Sequence, residues 1–428
     1  MKSCRAALIA APASGQGKTT ITAALARQAV QQGKRVRVFK TGPDFLDPMI
    51  HERASGAPCL QLDLFMGGEA HCRALLAEAA ATADLILVEG VMGMFDGKPS
   101  SADLAEVLGL PVLLVIDAQG MADTFGVIAH GLAGFRSELQ CAGVIANRVG
   151  SEGHAKMLMD SLPGYLPGIG WMPREARITL PERHLGLLPA AELTSLDKQL
   201  DIAAAALHTS FERWPEWSPE YATTTRETPE ALLAGRHIAI ARDEAFCFIY
   251  PANLDALKSL GATVSFFSPL ADAGIPECDA VWLPGGYPEL HAARIAANQS
   301  MQLALLAHHS TGKPILAECG GMMSLFETIV TADGALHEGF GLLTGAALMQ
   351  SKLAALGLQE VDLPEGRLRG HSFHYSRCDT PLEPIAHCRN PNRGTLSEAI
   401  YRVDHLTASY MHFYFPSNLQ ATAALFQP

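Results

Sequence analysis

Ten residues near the start of the chain, Ala11-Pro12-Ala13-Ser14-Gly15-Gln16-Gly17-Lys18-Thr19-Thr20, have the make-up of a phosphate cradle. Gly15 and Gly17 let backbone N–H groups close on an anion, and a helix start adds partial positive charge. Lys18 reaches terminal phosphates, Thr19 offers a hydroxyl to Mg²⁺, and Thr20 completes the string. Pro12 stands where the usual pattern has a glycine, five residues before Gly17, and a Gly-rich strand-to-helix turn is the plainer reading of the same residues. Four strand-like runs downstream end in polar groups: Val36 to Lys40, followed by Asp44 and Asp47; Asp84 to Gly90, which delivers Glu89; Pro111 to Asp117; and Cys141 to Asn147, followed by Arg148. Carboxylates at such an edge suit Mg²⁺ and phosphate, and the Asn147 amide offers a donor and an acceptor to a base edge. Taken singly, each fits a solvated turn or a helix cap. Four in succession favour one shared site.

The second half carries a different chemistry. Pro314-Ile315-Leu316-Ala317-Glu318-Cys319-Gly320-Gly321 puts a cysteine at a strand-to-helix turn, an arrangement expected to expose the thiol and lower its pKa; plain packing is the alternative. Ala408 to Phe415 reads as a strand interrupted by His412, a candidate base for Cys319. Pro284-Gly285-Gly286 follows another buried strand, where backbone N–H groups of Gly286 and Gly320 suit an oxyanion. Glu318 is a candidate to orient His412, while His371 and His374 fit either a site entrance or a satisfied core.

Positioning such groups requires parallel sheets. The apolar runs at residues 6–10, 85–88 and 112–116 are continuous, as expected of strands covered on both faces, and helical segments such as Thr20 to Gln32, closed by Gly33, alternate with them. This is the βαβ pattern, which places ligands at the carboxyl edge of the sheet. A second α/β unit opens at His237 to Ala241 and continues through Pro251 to Leu260, Thr263 to Phe267 and Asp279 to Leu283. Between them, the Pro- and Trp-containing stretch from Phe211 reads as an ordered but irregular linker.

A chain of 428 residues, 48% hydrophobic, has material for two cores. A formal net charge of −12, with Lys and Arg unclustered, predicts no nucleic-acid partner. Neither a membrane-length apolar run nor a cleavable leader is seen, and nine cysteines without C-x-x-C spacing read as reduced thiols, so a cytoplasmic setting is expected. A homodimer is the default expectation.

The strings APASGQGKTT, KTGPDFLDP, VEGVMGMFDG and LPERHLGLLPA (Leu180 to Ala190) resemble the cobyrinic acid a,c-diamide synthase family, whose first domain is a P-loop NTPase-like, dethiobiotin-synthetase-like amidoligase. RDEAFCFIYPANL (Arg242 to Leu254), LPGGYPEL and RGHSFHYS (Arg369 to Ser376), with the Cys319 elbow, resemble the class I glutamine amidotransferase domain of the corrinoid amide synthases. The resemblance implies two three-layer α/β domains with mostly parallel sheets, at 1–210 and 236–428, joined by a linker at 211–235. It implies ATP held by Gly15, Gly17, Lys18, Thr19, Thr20, Lys40 and Asn147. Asp44, Asp47 and Glu89 lie around Mg²⁺ and the substrate carboxylate, with Thr19, Asp44 and Glu89 as metal ligands. Cys319 is then nucleophile, His412 proton carrier, and Gly286 with Gly320 the oxyanion hole. The implied reaction is glutamine-dependent amidation of the a and c carboxylates of cobyrinate, with hydrogenobyrinate or nickel sirohydrochlorin as alternative macrocycles and a partitioning-type nucleotide switch as the distant alternative. Two positions depart from the usual pattern: Ala317 replaces the first elbow glycine, and Tyr414 stands where a triad glutamate would be.

Overall fold

The computed structural model describes residues 4–178, 182–183, 186–187, 189–214, 216–217, 229–392 and 394–428. The chain divides into two compact units, Met1–Arg226 and Glu227–Pro428.

The first unit is built on the strands β1 (Cys4–Ala10), β2 (Val36–Thr41), β3 (Leu60–Leu62), β4 (Leu85–Glu89), β5 (Val112–Asp117), β6 (Cys141–Val149) and β7 (Gly168–Pro173). Their spatial order is β7-β6-β5-β1-β4-β2-β3, every pair parallel. The helices α1 (Lys18–Gln31), α2 (Leu46–Ser55), α3 (Gly68–Thr82), α4 (Ser101–Leu108), α5 (Thr124–Gly134) and α6 (Glu152–Asp160) connect them. Val112 to Ile116 are fully withdrawn from water, as a strand with both faces covered must be. Each such side chain contributes about 1.5–3 kcal/mol, which fixes the sheet edge where the polar residues sit.

Parallel register does the positioning. Lys40 lies opposite Glu89 and Asp117 opposite Asn147, so polar residues that end separate strands become neighbours at one carboxyl edge. The expected helix at Thr20 begins two residues earlier, at Lys18, because Gly17 takes φ +93° and turns the chain directly into α1.

The second unit contains a parallel core of the strands Thr263–Phe267, His237–Ala241, Ala280–Leu283, Ile315–Glu318 and Leu406–Ser409, in that order. An antiparallel flank that the sequence patterning does not announce extends this sheet through Leu396–Val403, Ala386–Arg389, Ala355–Leu363, Gly366–His374 and His412–Phe413. The run expected as one strand from Ala408 to Phe415 is therefore two. Leu406–Ser409 pairs with Ile315–Glu318, and His412–Phe413 pairs instead with Gly366–His374. The break has a local cause: the Ser409 hydroxyl accepts the Met411 N–H at 3.0 Å, and Glu318 accepts the Phe413 N–H at 2.8 Å.

Trp214 belongs to the core of the first unit beside Phe211, and Trp217 is buried opposite Cys4 in a short antiparallel pairing with β1. Of the expected linker, 215 and 218–228 lie outside the described residues, as do 180, 181, 184, 185 and 188 of the Leu180 to Ala190 string. Among the described residues no helix is long and apolar enough to cross a membrane.

Candidate active site

The phosphate loop connects β1 to α1, with Gly15 at φ +76°. Gly17 is required twice over: its φ is positive, and a Cβ there would fall 2.1 Å from Asn147 Nδ2. Asn147 donates from Nδ2 to the Gln16 carbonyl at 2.9 Å and accepts the Arg148 N–H on Oδ1 at 2.9 Å. Both ends of its amide are thus engaged by backbone. Asn147 thereby buttresses the loop from β6. Asp117 is committed in the same way, its N–H donating to Gln16 Oε1 at 2.9 Å and its carboxylate 2.5 Å from the Arg148 guanidinium.

The loop after β4 forms the opposite wall. Gly93 packs so closely that a Cβ would meet the Pro12 carbonyl at 2.7 Å, and Met94 donates its N–H to Ala11 at 2.8 Å. Lys18, buried here, donates to the carbonyls of Met92 (2.5 Å) and Ala13 (3.2 Å). Burial first, and the nearby Lys40 charge second, hold the Lys18 ammonium below its ordinary pKa.

Behind Lys18 the acids converge. Thr19 Oγ1 donates to Glu89 Oε1 at 2.8 Å, and Lys40 Nζ lies 3.1 Å from the same oxygen, 2.7 Å from Asp47 and 3.8 Å from Asp44. Burial alone would lower the Lys40 pKa, but Asp47, Glu89 and Asp44 outweigh it and hold the ammonium charged. Burial opposes ionisation of Glu89 too, and Lys40 with His51 keeps it a carboxylate. Asp44 is pushed up by desolvation and by Asp47; its carboxylate also accepts the Leu46 and Asp47 N–H groups at the start of α2. Thr20 sits half-buried in the first turn of α1.

His51 is the residue sequence reasoning missed. It is fully buried on α2, and its Nε2 is hydrogen-bonded to Glu89 Oε2. A signal existed, because Asp47 and His51 are four apart and share one helix face. Among the described residues no group of three or more His, Cys, Asp or Glu is arranged to hold a metal alone. The oxygen donors of Thr19, Glu89, Asp44 and Asp47 nonetheless fit Mg²⁺, which binds through one or two carboxylates together with phosphate.

In the second unit Cys319 has φ +46° and ψ −108°, a strained conformation for a residue with a side chain. Its N–H donates to the Ser409 carbonyl at 2.7 Å. The glycines around it are steric necessities: a Cβ on Gly321 would fall 2.0 Å from the Leu283 carbonyl, and one on Gly320 2.9 Å from the Gly286 nitrogen. Gly286 (φ +156°) is in turn pressed on the Ala245 carbonyl, which a Cβ would meet at 2.1 Å. Gly286 and Gly320 therefore abut beside Cys319. Ala317, in place of the usual glycine, fits as an ordinary buried strand residue between Leu283 and Ala408.

Gly285 separates the thiol from the imidazole: a Cβ there would lie 2.3 Å from His412 Cε1 and 3.4 Å from Cys319 Cβ. His412 is flanked by Phe248 at 6.2 Å and stacked on His371 at 4.9 Å between ring centroids. One expectation is overturned. Cys319 is 4% exposed, and burial, then Glu289, raises its thiol pKa instead of lowering it, against the Gly320 N–H. Burial likewise depresses His412, reinforced by His371 and His374. Burial thus favours the neutral form of both thiol and imidazole.

Glu318 does not touch the His412 ring through its hydrogen bonds. Its oxygens accept Phe413 N–H (2.8 Å) and Trp282 Nε1–H (3.1 Å), which fixes the strand that carries His412. His374 is engaged elsewhere, with Nδ1 2.8 Å from the Ser376 carbonyl, Nε2 3.1 Å from Glu398 and its ring stacked on Tyr410.

A phosphate loop backed by clustered acids and a strained cysteine elbow facing a histidine define a nucleotide-binding domain and an amidotransferase domain in one chain. Residues 7–188 match the family described as CobQ/CobB/MinD/ParA nucleotide binding domain, and residues 237–419 that described as CobB/CobQ-like glutamine amidotransferase domain. Similar full-length proteins are hydrogenobyrinate a,c-diamide synthases of Stutzerimonas stutzeri (57% identical, covering 100% of this chain and 99% of the relative) and Pseudomonas aeruginosa (56%, covering 99% and 98%). A cobyrinate a,c-diamide synthase of Herminiimonas arsenicoxydans is 48% identical over 100% of this chain and 97% of its own. The chain belongs to the cobyrinate and hydrogenobyrinate a,c-diamide synthase family.

Proposed function

We infer that this enzyme amidates the a and c side-chain carboxylates of a cobyrinate-type macrocycle, using ATP and glutamine, in cobalamin biosynthesis. The reading is carried by the presence, in one chain, of the Thr19–Glu89–Lys40 cluster behind a phosphate loop and of Cys319 beside His412. A partitioning-type switch would leave the second unit without a task.

In the first unit, a substrate carboxylate oxygen attacks the γ-phosphorus of ATP and ADP leaves, converting a poor leaving group into an acyl phosphate. Lys18 offsets the charge of the transferring phosphoryl group, and the Lys40 ammonium neutralises the acids that would otherwise repel substrate and nucleotide. Thr19, Glu89 and Asp44 are the residues that would hold Mg²⁺, whose contribution is to neutralise phosphate charge and orient it. Gly15, Gly17 and Thr20 shape the cradle, Asp47 fixes Lys40, and Asn147 supports the loop from behind.

In the second unit, Cys319 sulfur attacks the side-chain amide carbon of glutamine while His412 takes the thiol proton and returns it to the departing ammonia. Backbone N–H groups of Gly286 and Gly320 receive the oxyanion. Water then releases glutamate from the thioester, and ammonia displaces phosphate from the acyl phosphate. Mg²⁺ dependence, a cytoplasmic setting, a homodimer and the lack of a nucleic-acid or membrane partner form part of the same proposal, the last supported by a net charge of −12.

Hydrogenobyrinate is the macrocycle named for the relatives at 57% and 56% identity, and cobyrinate for the one at 48%. Incubation with ATP, Mg²⁺, glutamine and each macrocycle, followed by product mass analysis, is expected to show two successive amidations. Cys319→Ala should abolish the glutamine-dependent product and spare the ammonia-dependent one. Equal loss of both would refute the division of labour.

A further inference from the structure

Tyr414 occupies the position two residues after His412 where an amidotransferase of this class would carry its orienting glutamate. What lies against the His412 ring is another imidazole. The pairing of His412–Phe413 with Gly366–His374 sets His371 directly opposite His412, and the two rings stack at 4.9 Å with their planes 16° apart. The close strand approach is enforced at the next position, since a Cβ on Gly370 would lie 1.9 Å from the His412 carbonyl. His371 is itself anchored: its Nδ1 and the Tyr250 hydroxyl share a buried hydrogen bond of 2.9 Å. Tyr250 is 1% exposed, immediately precedes the Pro251–Ser259 helix, and packs edge-on against Tyr414 at 5.5 Å.

We propose that His371, anchored by Tyr250, is the positioning residue for His412, its ring plane setting the imidazole towards Cys319 in the role a carboxylate fills elsewhere. This rests on the reading of Cys319 and His412 as nucleophile and proton carrier. Three surfaces confine the His412 ring: the His371 face on one side, Phe248 at 6.2 Å on another, and the bare Gly285 backbone towards Cys319. Rotation out of plane meets one of them. Burial also draws His371 down to about 3, which favours the neutral ring whose π face lies against His412.

The test uses the full chain with His371→Ala, His371→Phe, Tyr250→Phe and His412→Asn. Glutamate release gives kcat and KM, and ADP formation with ammonia as nitrogen source reports the first unit. His371→Ala is expected to lower kcat for glutamate release on the order of 10–100-fold with KM within about threefold, the cost of a misplaced catalytic group. His371→Phe restores a flat stacking ring and should recover most of that loss; Tyr250→Phe should fall between. Ammonia-dependent turnover should be unchanged in the His371 and Tyr250 variants. Native kcat in His371→Ala overturns the proposal, as does a His371→Phe enzyme no better than His371→Ala. If His371→Ala does not fold, Tyr250→Phe decides: a lowered kcat with KM kept supports positioning, and native kcat refutes it. Should His412→Asn retain glutamate release, the underlying base assignment fails; should His412→Asn lose it and His371→Ala keep it, only the positioning role fails.

Discussion

Replacing Gly285 by alanine adds one methyl group at the narrowest point between His412 and Cys319. That Cβ would lie 2.3 Å from His412 Cε1 and 3.1 Å from Nδ1, whereas ordinary van der Waals contact begins near 3.4 Å. Relief therefore demands a ring displacement of about 1 Å. The stacked His371 closes the far side, so the imidazole has little room to retreat along the line it is pushed. A shift of about 1 Å in a catalytic group costs about 100-fold in rate, or roughly 2.7 kcal/mol at 1.36 kcal/mol per decade. Gly285 does not have a positive φ, so the backbone itself accepts alanine and the effect is steric. Glutamate release by Gly285→Ala should fall by about two orders of magnitude while ammonia-dependent ADP formation remains within about twofold of native. Over-packing should add about 1–3 kcal/mol of destabilisation, readable as a lower Tm. Full glutamate release would refute the placement of His412 against the nucleophile turn; equal loss of the ammonia-dependent reaction would show that the defect is global.

Glu89→Gln removes the charge shared by Thr19, Lys40 and His51, and should depress amidation at least 100-fold with either nitrogen source, measured as ADP release. His51→Ala leaves Glu89 short of one buried hydrogen bond, and should raise the KM for ATP several-fold without altering glutamate release, checked by steady-state kinetics of both half-reactions. Gly17→Ala should abolish ATP binding, because its Cβ would fall 2.1 Å from the Asn147 amide; isothermal titration with a non-hydrolysable nucleotide reads this directly. Burial pushes the Glu318 carboxyl up from about 4.5 to about 8, so the folded state holds its proton more tightly than the unfolded chain. That contribution is complete below about 4.5 and is lost as pH rises through about 8, with a slope of at most about 1.4 kcal/mol per unit. Urea unfolding between pH 5 and 8 should show native stability falling with pH, and Glu318→Gln should flatten that fall.

The legible parts of the site are those in which one short string fixes its own backbone. Lys18, Thr19 and Cys319 stand at strand-to-helix turns whose glycines are compulsory, and the acids of the first unit were readable because parallel strands end at a common edge. Roles that depend on long-range register were not readable. Asn147 meets Gln16 across 131 positions of chain, so its engagement with the loop could not be separated from base recognition. His371 acquires a meaning only through its pairing with His412, set by an antiparallel flank that apolar patterning did not reveal. The thiol pKa failed for a different reason: the helix-start effect is local and visible, whereas the desolvation that outweighs it comes from packing around the turn.

Ser409 receives the Cys319 N–H on its carbonyl at 2.7 Å and the Met411 N–H on its hydroxyl at 3.0 Å, one residue before His412. Cys319 and the segment leading into His412 are therefore both tied to one residue, although they follow different strands. Ser409→Ala keeps the carbonyl that holds Cys319 and removes the hydroxyl that holds Met411, so it is a lesion on the His412 side of the pair alone.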